Sequence, residues 1–180
     1  FLDKTNKAVA TNHLDWMDIK NTTNDNLVDL RIGGREFALL GGSSGNNVVL
    51  GGGDDIAPGD PFVDDTVALG NASGNNIISF ETNDPTFRAS IESDATSGDN
   101  TILSGGSRLD ASLYAVSGHN VVDGSQSSGV EVKIGGRSSS DAGSAWGMQD
   151  NDASFISQAS NTVLGSDNAD YVSFINAAGN

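Results

Sequence analysis

Five carboxylates, Asp54, Asp55, Asp60, Asp64 and Asp65, fall within twelve residues of a stretch rich in glycine and proline. Carboxylates this close repel one another unless they are spread apart or neutralised, and hard oxygen ligands on a flexible segment suit calcium. The spacing is not that of an EF-hand, so a solvated acidic loop is the favoured reading and a calcium site the sharper one. Calcium is the one cofactor the residues point to. The chain has no cysteine, which removes thiolate metal sites and a disulfide framework. His13 and His119 each lack a second histidine at ligand spacing. The glycine-rich turns are followed neither by a helix nor by Gly-Lys-Ser/Thr, which excludes a phosphate loop. No Ser-His-Asp or paired-carboxylate arrangement stands out, and the chain reads as a non-enzyme with no catalytic residue assigned.

What must position these residues is a repeat. The word Ser44-Gly45-Asn46-Asn47-Val48-Val49-Leu50 returns as Ser73-Gly74-Asn75-Asn76-Ile77-Ile78, as Ser97-Gly98-Asp99-Asn100-Thr101-Ile102-Leu103 and as Ser117-Gly118-His119-Asn120-Val121-Val122. Looser copies centre on Asn26, Asp141 and Asn161. The key positions Asn26, Asn47, Asn76, Asn100, Asn120, Asp141 and Asn161 are separated by 21, 29, 24, 20, 21 and 20 residues. A base period of this size, with turn residues, short β-branched runs and no helical spacing, is the mark of a solenoid. The expected fold is all-β, a parallel β-solenoid of β-helix or β-roll type, with about seven coils of 20–21 residues.

Seven residues before the key positions stand Ile19, Leu40, Leu69, Leu113 and Ile134, in β-forming surroundings that predict a second strand in each coil. Alternation along the key strand sends Val28, Val49, Ile78, Ile102, Val122 and Val163 inward, and Leu50, Leu103 and Leu164 outward. The key Asn column shares the inward parity. Side-chain amides stacked about 4.8 Å apart can bond up and down the stack, a structural ladder that fixes register. The number of sheets per coil stays open. Residues 1–18 read as an N-terminal cap or incomplete coil and 19–180 as the solenoid. The long step places an insertion loop at 51–65, a smaller bulge falls near Pro85, and Trp146 stands where Gly143 interrupts the apolar column.

The formal charge of -15, from 24 acidic against 9 basic residues, argues against nucleic acid and against anionic membrane. No apolar run approaches membrane-spanning length, so no membrane insertion is expected. With Phe1 in place of an initiator Met, the chain reads as a processed product or a piece of a longer protein.

The tract from Gly41 to Asp55 resembles the glycine-rich nonapeptides of RTX proteins, the calcium-binding β-rolls of secreted bacterial toxins, lipases and adhesins. Asn47 stands where that family has a ligand Asp, and the period exceeds two nonapeptides. The resemblance therefore implies a secreted β-solenoid context rather than regular turn-calcium sites. Coil length is also similar to that of filamentous-haemagglutinin-like adhesins. These features lead to an expectation of an extracellular or cell-surface protein, a structural or adhesive solenoid that self-assembles head-to-tail into a surface or matrix fibre. The assembly edge would be Tyr171, Val172, Phe174 and Ile175, a β-forming run without charge or proline. The alternative is a carbohydrate-binding or carbohydrate-active module, such as a lyase or epimerase module or a phage spike fragment. Partners would accordingly be other copies of the chain or an extracellular polysaccharide. Ice binding ranks last, because the column after the key Asn is not a regular Thr column.

Overall fold

The computed structural model describes residues 5–11, 15–32, 35–52, 64–82, 87–94, 96–114, 116–135, 157–175 and 177–178. These residues form fifteen β-strands and no helix. One parallel sheet stacks β1 (Asn6–Val9), β3 (Asn26–Asp29), β5 (Asn47–Gly51), β7 (Asn76–Phe80), β9 (Asn100–Ser104), β11 (Ser117–Asp123), β13 (Ser157–Leu164) and β15 (Ala177–Ala178), in that order. The second stacks β2 (Asp15–Lys20), β4 (Glu36–Gly41), β6 (Asp64–Gly70), β8 (Arg88–Asp94), β10 (Arg108–Tyr114), β12 (Gly129–Gly135) and β14 (Tyr171–Ile175). The chain alternates between the sheets, so each coil contributes one strand to each, and the question of a third sheet is answered with two among the described residues.

Burial follows the pleat. In β5, Asn47, Val49 and Gly51 are buried while Val48 and Leu50 are half-buried. Val28, Val49, Ile78, Ile102 and Val122 stack as one core column, facing Ala38, Val67, Ile91, Ala111 and Val132 and the column of Leu40, Leu69, Leu113 and Ile134 from the other sheet. Ser93 interrupts that last column, and its hydroxyl bonds Thr96 Oγ1 at 3.0 Å, which satisfies the buried polar group. Unlike a domain with one central core, each coil here is held chiefly by its two neighbours.

Two local requirements explain the repeat word. The turn leaving the second sheet needs a left-handed residue, supplied by Asn21 (φ 53°), Gly42 (φ 63°) and Asn71 (φ 53°). Further on, successive corners press backbone on backbone: a Cβ on Gly45 would lie 2.1 Å from the Asn24 carbonyl oxygen, and one on Gly74 2.1 Å from that of Gly45. Only glycine allows the coils to close to sheet spacing there.

Of the residues expected to form an N-terminal cap or incomplete coil, Asn6–Val9 form β1 and Asp15 opens β2, and both strands pair with β3 and β4 over their full lengths. Two differences from the sequence reading concern the long steps. Asp141 is not the rung above Asn120: β13 lies directly on β11 with Asn120 level with Asn161. The physical reason is that Asn161 and Val163 supply both the amide and the inward apolar residue, whereas the run after Asp141 offers Gly143 at that place. Asp141 and Trp146 themselves lie outside the described residues. Finally, Asp64 and Asp65 belong to strand β6 rather than to the inserted loop.

Candidate functional site

Seven asparagines, buried from Asn26 to Asn120 and more open at Asn6 and Asn161, form a continuous chain of side-chain hydrogen bonds. Each Nδ2 donates to the Oδ1 of the next coil: Asn6 to Asn26 (2.8 Å), Asn26 to Asn47 (2.7 Å), Asn47 to Asn76 (2.6 Å), Asn76 to Asn100 (2.7 Å), Asn100 to Asn120 (2.5 Å) and Asn120 to Asn161 (2.9 Å). Second donors are taken up at the same corner, by Thr22 and Ser43 hydroxyls for Asn26 and by Thr96 for Asn100. At Asn76 the corner residue is Ala72, and the Gly74 carbonyl accepts instead. Asn6 is the member that the sequence reading missed. Its signal was the 20-residue distance to Asn26, obscured because Lys7 follows where the other copies have an apolar residue or Thr.

A second ladder runs outside the first, on the residue preceding each key Asn. The side-chain oxygens of Asp25, Asn46, Asn75 and Asp99 accept from the backbone N–H of Asn46, Asn75, Asp99 and His119, at 2.8 to 3.1 Å. Its signal was also in the sequence, since all four acceptors are Asn or Asp at the position treated as variable. His119, expected in an outward turn, ends this ladder as an exposed residue of strand β11, and His13 lies outside the described residues.

Of the five loop carboxylates, Asp54, Asp55 and Asp60 lie outside the described residues, and for Asp64 only the strand backbone is described. Asp65 is fully buried (0% exposed), with Oδ1 accepting from Glu36 N at 3.2 Å and Oδ2 from Gly52 N at 2.9 Å. Its carboxylate thereby joins the starts of β4 and β6 to the turn after β5. Among the described residues no group of three or more Asp, Glu or His could hold a metal ion.

On the outer face of the second sheet, charges concentrate over the last coils. Asp110 pairs with Arg88 and Arg108, and Glu131 lies between Arg108 (3.2 Å) and Lys133 (3.3 Å). Beside them a groove of about 420 Å³ is lined by Arg108, Glu131, Asn168, Asp170 and Tyr171, among others. Asp170 is committed to structure: Oδ1 accepts from Val130 N (2.9 Å) and Ser166 Oγ (2.7 Å), and Oδ2 from Ser166 N (2.8 Å). The groove thus brings together Arg108, itself paired with Asp110 and Glu131, and the exposed ring of Tyr171. No family model, no curated protein and no solved structure matches the chain. The groove and the ends of the stack therefore rest on their own geometry.

In β14 the core columns are exposed. Val172 and Phe174 continue the columns of Val132 and Ile134, yet are 40% and 55% exposed, against 0% and 1% for their neighbours one coil inward. On the outward face of β2, Trp16 is 62% exposed and stacks on Phe37, with ring centroids 4.4 Å apart and planes 19° from parallel, while Met17 and Ile19 on the inward face are partly buried. Ile175 belongs to β14, and its side chain lies outside those described.

Proposed function

We propose that the chain is a secreted structural or adhesive rod of a bacterial surface or matrix. The observation that carries this reading is the unbroken series of six amide bonds along seven coils, which gives a stiff axial element whose length scales with coil number. At about 4.8 Å per coil the rod is roughly 34 Å long. The acidic surface supports it by favouring solubility and disfavouring polyanionic partners. The test is antibody labelling of intact producing cells, together with an adhesion assay using beads coated with the purified chain. Label at the surface or matrix and retained beads are expected; label confined to the cell interior would contradict the reading.

The groove at Arg108 and Tyr171 favours a second reading, a carbohydrate-binding module. Tyr171 offers a ring face to a sugar's C–H face, and Arg108 and Asn168 offer hydrogen-bond donors. Calorimetric titration with neutral and uronic-acid oligosaccharides tests it. Binding that is lost in Arg108→Ala would support the groove, and heats indistinguishable from dilution would remove it.

A further inference from the structure

We infer that Asn21 and Asn71 are acceptors for N-linked glycosylation, which sets two sugar chains on one edge of the rod. This rests on the secreted part of the rod reading and adds a covalent modification to it.

Asparagine followed two positions on by Ser or Thr is the acceptor pattern, and it carries meaning where it falls on an accessible turn. Asn21-Thr22-Thr23 and Asn71-Ala72-Ser73 are the two such runs in the chain. Both occur at the corner that leaves the second sheet. Lys20 is level with Gly41 and Gly41 with Gly70, so Asn21, Gly42 and Asn71 follow one another on successive coils. Both asparagines are exposed and left-handed, at the same φ of 53°. Each ladder asparagine, by contrast, has Ala, Val or Ile two positions on, at the level of the core column, so the pattern is absent from the buried amides.

The turn brings the two recognition groups to one side. Its middle residue is held inward: Thr22 Oγ1 accepts from Asn26 Nδ2 at 2.9 Å, and Ala72 is buried. The residues flanking it, Asn21 with Thr23 and Asn71 with Ser73, are exposed. By the alternation of an extended chain, acceptor amide and hydroxyl residue emerge together, where a transferase can reach both. Backbone bonds from Ser44 N to Thr22 O (2.9 Å) and from Ser73 N to Ser43 O (2.8 Å) hold successive corners in one shape. The left-handed turn does not itself demand asparagine, since Gly42 (φ 63°) fills the same corner in the coil between. That glycine also leaves room, because a Cβ there would lie 2.7 Å from Asn21 Oδ1. With one coil between them, the two acceptors stand roughly 10 Å apart. In the transfer, Asn Nδ2 bonds to the anomeric carbon of a sugar supplied as its glycosyl diphosphate. The bond from that carbon to the diphosphate oxygen breaks, the diphosphate leaves with the electron pair, and the amide proton passes to a base of the transferase.

The test is peptide mass mapping of the chain purified from the cells that produce it, with fragmentation to locate any added mass. A sugar mass should fall on Asn21 and on Asn71, and on no ladder asparagine. Thr23→Val and Ser73→Ala, expressed in the same cells, should each remove the sugar from their own corner while leaving its asparagine in place. Asn21→Gly and Asn71→Gly keep the left-handed turn as Gly42 does, and should remove the sugar with the circular dichroism unchanged. Unmodified peptides at both corners would overturn the inference, as would a sugar that survives loss of the hydroxyl residue. Sugar at one corner alone would overturn the assignment of the other. Bare asparagines on a chain that labels cell surfaces and holds beads would sink the modification alone and leave the rod reading in place. An interior location would sink the rod reading whatever the masses show.

Discussion

Asn120 Nδ2 donates a 2.9 Å hydrogen bond to Oδ1 of Asn161, a residue forty-one positions further along the chain. Every other link of the ladder spans 20 to 29 residues. The stack therefore selects its next rung by side-chain fit rather than by counting residues. Passing over one period costs little in chain entropy, since each doubling of a connection adds only about 0.6 kcal/mol. An inward Val163 and a ladder amide at Asn161 more than offset that.

The core column gives the plainest mutational contrast. Val122 is fully buried and Leu103, on the neighbouring strand, is 38% exposed. Val122→Asp removes about 1.5 to 3 kcal/mol of burial and places a carboxylate without a partner in the core. Leu103→Asp should shift the urea midpoint far less, and the two midpoints measured side by side check the inward and outward assignment.

Corner glycines should tolerate nothing larger. Gly74→Ala would set a Cβ 2.1 Å from the Gly45 carbonyl oxygen, whereas at Gly129 the nearest atom is 3.8 Å away. The first substitution should cost about 1 to 3 kcal/mol through forced separation of coils. The second should stay within about 0.5 kcal/mol, and thermal melts of both compare them directly.

Asp65 is expected to act through the backbone rather than through an ion. Asp65→Ala leaves the N–H groups of Glu36 and Gly52 without their acceptor, a loss of about 1 to 3 kcal/mol for each buried donor. The fall in Tm should be the same in calcium and in chelator. A calcium-dependent difference that the wild type shows and the variant lacks would return Asp65 to an ion site.

At the surface, Arg31 Nε (2.8 Å) and Nη2 (2.7 Å) donate to the Asp29 carboxylate, and this hydrogen bonding holds the carboxyl below its ordinary range. A depressed folded-state value means that the stabilisation is fully present above the ordinary aspartate value and is lost as pH falls through the lowered one. NMR titration of Asp29 should show a midpoint that rises toward the ordinary value in Arg31→Ala.

The period, the two strands per coil and the inward Asn column could be read from the sequence because a solenoid writes the same local problem many times. Asn47, Asn76, Asn100 and Asn120 each precede two apolar or Thr residues, and that regularity suffices to place them. Asn6 escaped because Lys7 faces outward, where charge is harmless, so the copy looked broken while its inward residues were intact. Asp65 escaped for the opposite reason. Its neighbours Asp54, Asp55 and Asp60 made it look like part of a loop, and nothing local marks a carboxylate whose partners, Glu36 N and Gly52 N, belong to other strands and turns. The groove at Arg108 and Tyr171 depends on which coils become neighbours near residue 170, and that was set by the passing over of Asp141.

The claim on which the rest depends is that the buried amides hold the coils in register, and equilibrium urea denaturation of two asparagine variants tests it most directly. Asn100 lies in the inward ladder between Asn76 and Asn120, while Asn75 lies in the exposed outer one, where its Oδ1 accepts from Asp99 N at 3.1 Å. Asn100→Ala should lower stability by about 1 to 3 kcal/mol, because two buried amides lose a partner at once. Asn75→Ala should cost no more than about 0.5 kcal/mol, since water replaces the lost acceptor. Equal losses, or an Asn100→Ala midpoint indistinguishable from wild type, would contradict the account.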